Sequence, residues 1–299
     1  NKTENTTRSG FTAIIGRPNV GKSTLLNRFI GQKLAITSHK PQTTRHSILG
    51  VKTRDDGQIV YVDTPGIHRR GNHAMNRYLN RTANTVLSDV DTLLFVVQAG
   101  VWNREDKQVL KSVVNSKRPA ILVINKIDLM EDKSDLLPYI ESIKELHDFV
   151  DIVPISAKNG IQVEELEQKV LATLPEGGNL YPDDQLTDRN EKFFAAELIR
   201  EQLTRQFHME LPYATTVEIE SFKEEEKMYR ISALIYVERS GQKAILIGNK
   251  GEGLKQVGTK ARKSMEKFYQ KKVFLQLWVK VKKSWSDDEA ALARLGYTD

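Results

Sequence analysis

Cysteine is absent from the 299-residue chain. That excludes disulfides and thiolate metal sites and fits a reducing, cytoplasmic setting. Histidine is scarce: six residues are scattered without the spacing of a metal set. No apolar run approaches the ~18–20 residues that cross a bilayer. Residues 1–10 are polar, lack the apolar core of a signal peptide, and are expected to be a flexible N-terminus. Repeats and low-complexity stretches are missing as well. What remains, 39% hydrophobic and 28% charged, is the composition of a soluble globular protein long enough for two domains.

Acidic residues are nearly missing from one stretch. Between positions 239 and 283 thirteen Lys and Arg face only Glu252 and Glu266, a local net charge of +11, while the rest of the chain carries −5. A basic block in a mildly acidic chain suggests a polyanion partner at that block.

The strongest local pattern is Gly16-Arg17-Pro18-Asn19-Val20-Gly21-Lys22-Ser23, which fits GxxxxGK[ST] without a mismatch. An apolar, β-prone run (11–15) precedes it and a helix-like run from Thr24 to Ile30 follows. That context is the one a phosphate loop requires. Its glycines let successive N–H groups turn toward phosphate oxygens, and the helix behind adds its positive end. Lys22 is expected to neutralise the β and γ phosphates, and the Ser23 hydroxyl to hold Mg²⁺.

Downstream, strands are expected at 47–53 and 58–62, joined by a hairpin turn, and then at 92–97, 120–124 and 152–155, with helical patterns between. Alternating β and α segments with apolar strands imply a mainly parallel sheet with helices on both faces, and ligands beyond the strand carboxyl ends. Asp63-Thr64-Pro65-Gly66 follows the second of these strands. Asp63 can reach Mg²⁺ through water, and the Gly66 N–H can bond a γ-phosphate and release it after hydrolysis. Asn125-Lys126-Ile127-Asp128 follows the fourth strand. Asp128 can accept from guanine N1–H and its exocyclic amine. Adenine would leave that carboxylate unpaired, at a cost of about 1.5–3 kcal/mol or more. Asn125 would support loop and base, and the Lys126 stem would pack over the ring. Ser156-Ala157-Lys158 follows the fifth strand, where the Ala157 N–H can reach guanine O6.

In this order the motifs resemble those of the translation-factor-related GTPases, and residues 11–174 cover their whole GTP-binding domain. The resemblance implies an α/β P-loop NTPase of the Ras-like type that binds GTP, GDP and Mg²⁺. It also implies a threonine that closes on Mg²⁺ and γ-phosphate. Thr43 and Thr44 compete for that role, and Thr44 is preferred because the family residue usually precedes an arginine, here Arg45. Ras-like enzymes carry a water-orienting glutamine after the DxxG glycine; this chain has Ile67. Some relatives with asparagine at the position of Asn19 bind K⁺ beside the phosphates. A slow intrinsic GTPase accelerated by K⁺ through Asn19 is the expectation, with Lys22, Asn19, Thr44 and Gly66 as its catalytic set.

Residues 175–188 are rich in Pro, Gly and Asp and read as a linker. Beyond it a helix (189–207) is expected with Phe193, Ala196, Ile199, Leu203 and Phe207 on one face. Two strands (213–222, 228–238), a short apolar segment (244–247), Gly248-Asn249-Lys250-Gly251, a basic helix (252–268) and a strand (273–281) follow. That α-β-β-α-α-β order, with GxxG inside the basic block, resembles an α+β type II KH domain over 189–285, followed by a C-terminal tail, 286–299. The resemblance implies that about four single-stranded bases lie beside the GxxG backbone. Lys250 and the loop N–H groups would face phosphates, and Asn249 and Lys255 are further RNA-contact candidates. Ile245, Ile247, Leu254 and Val257 are groove candidates, which sequence alone does not separate from core. Trp102, Trp278 and Trp285 read as packing residues, Trp285 with least support.

A GTPase domain followed directly by a type II KH domain is similar to the bacterial ribosome-assembly GTPases along the full chain. That likeness implies a monomer that binds the 3′ region of small-subunit ribosomal RNA in late assembly, with peripheral contact to the cytosolic face of the inner membrane. The competing reading is a nucleotide-sensing RNA-binding scaffold with incidental turnover.

Overall fold

The computed structural model describes residues 7–38, 40, 43–65, 74–208 and 211–297. The chain divides into two compact units. The first is Asn1–Ala35, Thr44–Gly71 and Asn76–Asp188. The second is Arg189–Asp299 together with Ile36–Thr43 and Asn72–Met75.

The first unit holds a six-stranded sheet in the order β2-β3-β1-β4-β5-β6. Its strands are β1 (Arg8–Ile15), β2 (Ile48–Arg54), β3 (Gly57–Asp63), β4 (Thr92–Gln98), β5 (Ala120–Asn125) and β6 (Asp151–Pro154). Only the β2–β3 hairpin is antiparallel. Helices α1 (Lys22–Ile30), α2 (Ala74–Ser88), α3 (Arg104–Ser116) and α4 (Leu136–Ile143) connect the strands, and α5 (Val163–Thr173) follows β6. β3, β4 and β5 are almost wholly buried, as strands sandwiched between helices must be.

β1 reaches back to Arg8, into the stretch expected to be flexible. Arg8, Ser9 and Gly10 pair with Gly57, Gln58 and Ile59, although their polar side chains give no strand signal. Gly57 permits this approach: a Cβ there would lie 1.9 Å from the Arg8 carbonyl oxygen. Residues 175–188 run along the same unit. Ser9 N–H donates to the Pro175 carbonyl, Val51 N–H to that of Leu186, and the buried Gln58 amide bonds the backbone of Leu180 and Tyr181.

The second unit carries α6 (Glu191–Gln206), β7 (Thr216–Glu224), β8 (Met228–Val237), α7 (Ser240–Ile247), α8 (Glu252–Tyr269), β9 (Lys272–Val281) and α9 (Glu289–Arg294). Its sheet order is β7-β8-β9, with β7–β8 antiparallel and β8–β9 parallel. The three longer helices and one sheet face share a core containing Leu198, Ile199, Leu246, Val257, Met265, Ile231 and Val279.

α6 departs from a one-sided amphipathic helix. Ile199 and Leu203 are buried as expected, but Glu197, Arg200 and Glu201 are buried too. Arg200 pairs with Glu197 at 2.6 Å. Segment Ile36–Thr43 covers this charged side. Arg200 donates to the Thr43 carbonyl, Thr37 N–H donates to Glu201 at 3.1 Å, and Lys40 donates to the Thr204 and Phe207 carbonyls at the helix end. The tail is ordered likewise: Asp288 caps α9, and Tyr297 stacks on Trp285.

The tryptophans separate clearly. Trp285, the weakest packing candidate, is fully buried, with its indole N–H donating to the Ala214 carbonyl at 3.1 Å. Trp102 is half-buried against Phe95. Trp278, expected to pack, is 45% exposed, because its position on β9 faces away from the core.

Candidate functional site

Each nucleotide motif leaves the carboxyl end of a strand of the first sheet. β1 delivers Gly16, where a Cβ would lie 2.4 Å from the Val96 carbonyl oxygen. Gly21 has φ 104°, and a Cβ there would lie 2.3 Å from the Asn125 amide nitrogen. Both positions therefore require glycine. α1 begins at Lys22 without a side-chain cap, which leaves its first N–H groups for an anion. Val20 is buried, Asn19 is exposed with φ 65°, and Pro18 and Thr24 are half-buried. The Lys22 ammonium turns back over the loop, donating to the Gly16 and Arg17 carbonyls at 2.9 and 3.0 Å. Burial lowers its pKa to about 8, against the opposing pull of Asp63.

Three oxygens converge beside it. Ser23 Oγ lies 2.7 Å from Asp63 Oδ2 and 2.8 Å from Thr44 Oγ1. Burial raises Asp63 to about 6, despite Lys22 and Ser23. Its second oxygen, buried, has no hydrogen-bond partner among the described residues. One buried carboxylate with an unused oxygen and two hydroxyls is a hard-oxygen set that suits Mg²⁺. The structure joins Thr44, not Thr43, to this cluster; the Thr43 hydroxyl donates to the Lys40 carbonyl. Gly66 and Ile67 lie outside the described residues.

β5 and β6 build the other end. The Asn125 amide donates to the Val20 carbonyl at 2.7 Å and accepts the Ala157 N–H at 3.0 Å, tying the phosphate loop to the 156–158 loop. The Ala157 N–H, expected to face guanine O6, is thus directed at Asn125. Lys126, at φ 66°, extends its ammonium to the Asn19 carbonyl, 2.6 Å, and to Gln98. Burial lowers its pKa. Ser156 donates to Asp128 at 2.6 Å, fixing the carboxylate. Lys158 is exposed.

In the second unit Gly248 (φ 71°) and Gly251 (φ 83°) flank Lys250, itself at φ 50° and exposed with Asn249. A Cβ on Gly248 would lie 2.9 Å from the Gly253 nitrogen. Ile245 is 62% exposed beside this turn. Ile247 and Leu254 are half-buried, Lys255 is exposed, and Val257 belongs to the core.

Two family models match the chain: a 50S ribosome-binding GTPase over residues 11–126 and a KH domain over residues 210–286. GTPase Era of Pseudomonas aeruginosa is 54% identical over 292 residues, covering 98% of this chain and 96% of that protein. GTPase Era of Pseudomonas syringae pv. tomato is 55% identical, covering 98% of both chains. The chain belongs to the Era GTPase family. Two solved Era structures are similar to the chain: a variant of Aquifex aeolicus Era bound to GDP and AlF₄⁻, and an Era in complex with MgGDPNP and nucleotides 1506–1542 of 16S ribosomal RNA. Each has a TM-score of 0.94 at 36% identity, over 98% of this chain and 100% of that one.

This Era-family GTPase also uses residues that its motifs do not reveal. Arg28 on α1 donates to the carbonyls of Ala157 and Lys158, holding the 156–158 loop against the phosphate-loop helix. Asn103 caps α3; Asp106 closes that capping box by accepting the Asn103 N–H and pairs with Arg17 at 3.2 Å, so the loop arginine is already engaged. Gly253 lets the α7 and α8 backbones approach, since a Cβ there would lie 2.7 Å from the Leu246 carbonyl oxygen. Of these, only Gly253 leaves a sequence signal, a third glycine just after GxxG.

Proposed function

We propose that this chain is a GTP-hydrolysing switch that binds the 3′ region of small-subunit ribosomal RNA through its KH domain and acts in late assembly of the small ribosomal subunit. The observation that carries the reading is the Ser23–Thr44–Asp63 oxygen cluster beside Lys22. The MgGDPNP and RNA complex of a 36% identical Era supports the RNA half. Residues 16–24 receive the phosphates. Asn125, Lys126, Asp128 and 156–158 frame guanine. Gly248, Asn249, Lys250 and Gly251 meet the RNA backbone, with Ile245, Ile247, Leu254 and Lys255 along the groove.

Ser23, Thr44 and Asp63 would hold Mg²⁺, which supplies charge neutralisation across the β and γ phosphates. Lys22, mostly protonated at neutral pH, adds positive charge fixed before the reaction begins. Thr44 and Gly66 order around the γ-phosphate and relax once it leaves. Ile67 cannot orient the attacking water; Asn19 would hold K⁺, which would supply the missing charge beside the phosphates. If GTP tightens RNA binding, RNA tightens GTP binding by the same factor. Peripheral contact with the inner membrane and a monomeric state belong to the same reading and rest on family likeness alone.

The test is GTP hydrolysis in K⁺ and in Na⁺, with and without a short RNA of the 3′ sequence, alongside RNA binding in GDP and GTP-analogue states. K⁺ stimulation that Asn19→Ala removes, and tighter RNA binding with the analogue, are expected. Binding that ignores nucleotide, with turnover that ignores RNA, would instead make the chain a nucleotide-sensing RNA scaffold, the reading that Ile67 favours.

A further inference from the structure

Arg200 sits in the interior of α6 with its guanidinium buried. Its Nε and Nη2 donate to the two oxygens of Glu197, one turn earlier, at 2.7 and 2.6 Å. A buried ion pair is weak evidence for stability. Desolvating both charges cancels much of their attraction, and an apolar pair of similar volume often serves as well. What this pair provides and an apolar pair would not is a donor fixed in direction. The carboxylate takes the guanidinium side-on and so sets its plane. Nη2 carries a second hydrogen, and it also donates to the Thr43 carbonyl.

That carbonyl is one end of a peptide plane whose other end is the Thr44 N–H. The plane is rigid, so a guanidinium on its oxygen sets the direction from which the chain enters Thr44. Only the Thr44 φ and χ1 then remain to place the Thr44 hydroxyl, which lies 2.8 Å from Ser23 Oγ in the cluster with Asp63. The Thr43 hydroxyl turns away, donating to the Lys40 carbonyl at 2.6 Å. Residue 43 therefore offers this contact its backbone, not its side chain. The support behind Arg200 is stiff. α6 runs for sixteen residues, Asn190 caps its start, and the neighbouring Ile199 is packed in the core of the second unit.

We propose that Arg200 is a positioning residue for GTP hydrolysis: oriented by Glu197, it holds the peptide plane before Thr44 and thereby aims the threonine hydroxyl at Mg²⁺ and the γ-phosphate. The proposal rests on the reading of Thr44 as the residue that closes on those groups. Arg200 and Thr43 count with the second unit and Thr44 with the first, so a bond within one unit aims a side chain of the other through a single peptide link. GDP lacks the γ-phosphate, so the effect belongs to GTP and its hydrolysis and not to GDP binding. Lysine is no substitute, because an ammonium has no planar fork to be held by Glu197.

The experiment uses the full chain with Arg200→Lys, Thr44→Ala, and Arg200→Met paired with Glu197→Leu, which leaves no charge buried alone. Single-turnover hydrolysis should slow about 10–100-fold in the apolar pair and at least about tenfold in Arg200→Lys, the scale of a reacting group misplaced by about 1 Å. Calorimetry gives a reading independent of turnover: affinity for a GTP analogue in Mg²⁺ should fall at least about fivefold, and GDP affinity should stay within about twofold. On a Thr44→Ala background neither Arg200 change should slow hydrolysis by more than about twofold further, because its effect passes through that hydroxyl. Circular dichroism checks each fold; where the apolar pair fails to fold, Arg200→Lys and its cycle with Thr44→Ala decide. Wild-type hydrolysis in the folded Arg200 variants, equal losses of GDP and analogue affinity, or full additivity with Thr44→Ala would overturn the proposal. If Thr44→Ala itself hydrolyses GTP and binds the analogue like wild type, the reading of Thr44 fails first and the proposal falls with it.

Discussion

Replacing Asn125 by alanine asks whether the nucleotide site is braced before any nucleotide arrives. Asn125 is 2% exposed. Its amide satisfies two backbone groups, the Val20 carbonyl at 2.7 Å and the Ala157 N–H at 3.0 Å. Alanine leaves both without a partner. A buried polar group left unsatisfied costs roughly 1–3 kcal/mol, so two cost about 2–6 kcal/mol. Water entering the vacated space recovers part of that, and about 2–4 kcal/mol is the expected net loss. In a unit of this size each kcal/mol lowers the melting temperature by about 2–4 °C. The nucleotide-free chain should therefore melt roughly 4–16 °C lower in the transition of its first unit. Hydrogen exchange at β1 and β5 amides identifies that transition. If Asn125 serves only bound guanine, the nucleotide-free variant will melt like wild type and only GDP affinity will drop. That result would refute the bracing argument.

Three further outcomes follow from the geometry. Asp63, raised by burial to about 6, must be ionised to meet Mg²⁺. Mg²⁺-dependent GDP affinity, measured by calorimetry, should fall about tenfold between pH 7 and pH 5, and Asp63→Asn should flatten that profile. Without nucleotide the sign reverses: the native state keeps this proton longer than the unfolded chain does, so its contribution to stability declines as pH rises from about 4 to about 6. Gly253→Ala forces a Cβ against the Leu246 carbonyl; chemical denaturation should show the second unit destabilised by about 1–3 kcal/mol, with RNA binding weakened. Arg28→Ala removes both ties to the 157–158 carbonyls; at about 1–2 kcal/mol, GDP titration should show affinity falling roughly 5–30-fold.

The nucleotide site is legible in the sequence because its chemistry is local. Gly16, Gly21, Lys22 and Ser23 must lie within eight residues for one backbone curl to serve one phosphate group. Asp63, Asn125 and Ser156 stay readable because each ends an apolar strand, and the parallel sheet aligns those ends. What was not legible depends on partners distant in sequence. Arg8 to Gly10 carry no strand pattern and pair only because Gly57 lets them approach. Glu197, Arg200 and Glu201 look like solvent-facing residues of α6 until segment 36–43 is known to cover them. Trp285, expected to pack with least support, is fully buried, and Trp278, also expected to pack, is exposed. Strand parity sets the exposure of Trp278, and the fold of the tail around Trp285 carries no periodic signal.

That covering segment bears on how the gene may be cut. Ile36–Thr43 counts with the second unit although 145 residues separate Thr43 from Arg189, so the modular border is not a point on the chain. A fragment starting at Arg189 would expose the buried Glu201 carboxylate and the Arg200 guanidinium, which would lose the Thr37 N–H and the Thr43 carbonyl. A chimera that grafts the KH half of one relative onto the GTPase half of another would inherit a mismatched lid unless residues 36–43 travelled with it. Substitutions in α6 and in that octapeptide should therefore be exchanged as a set.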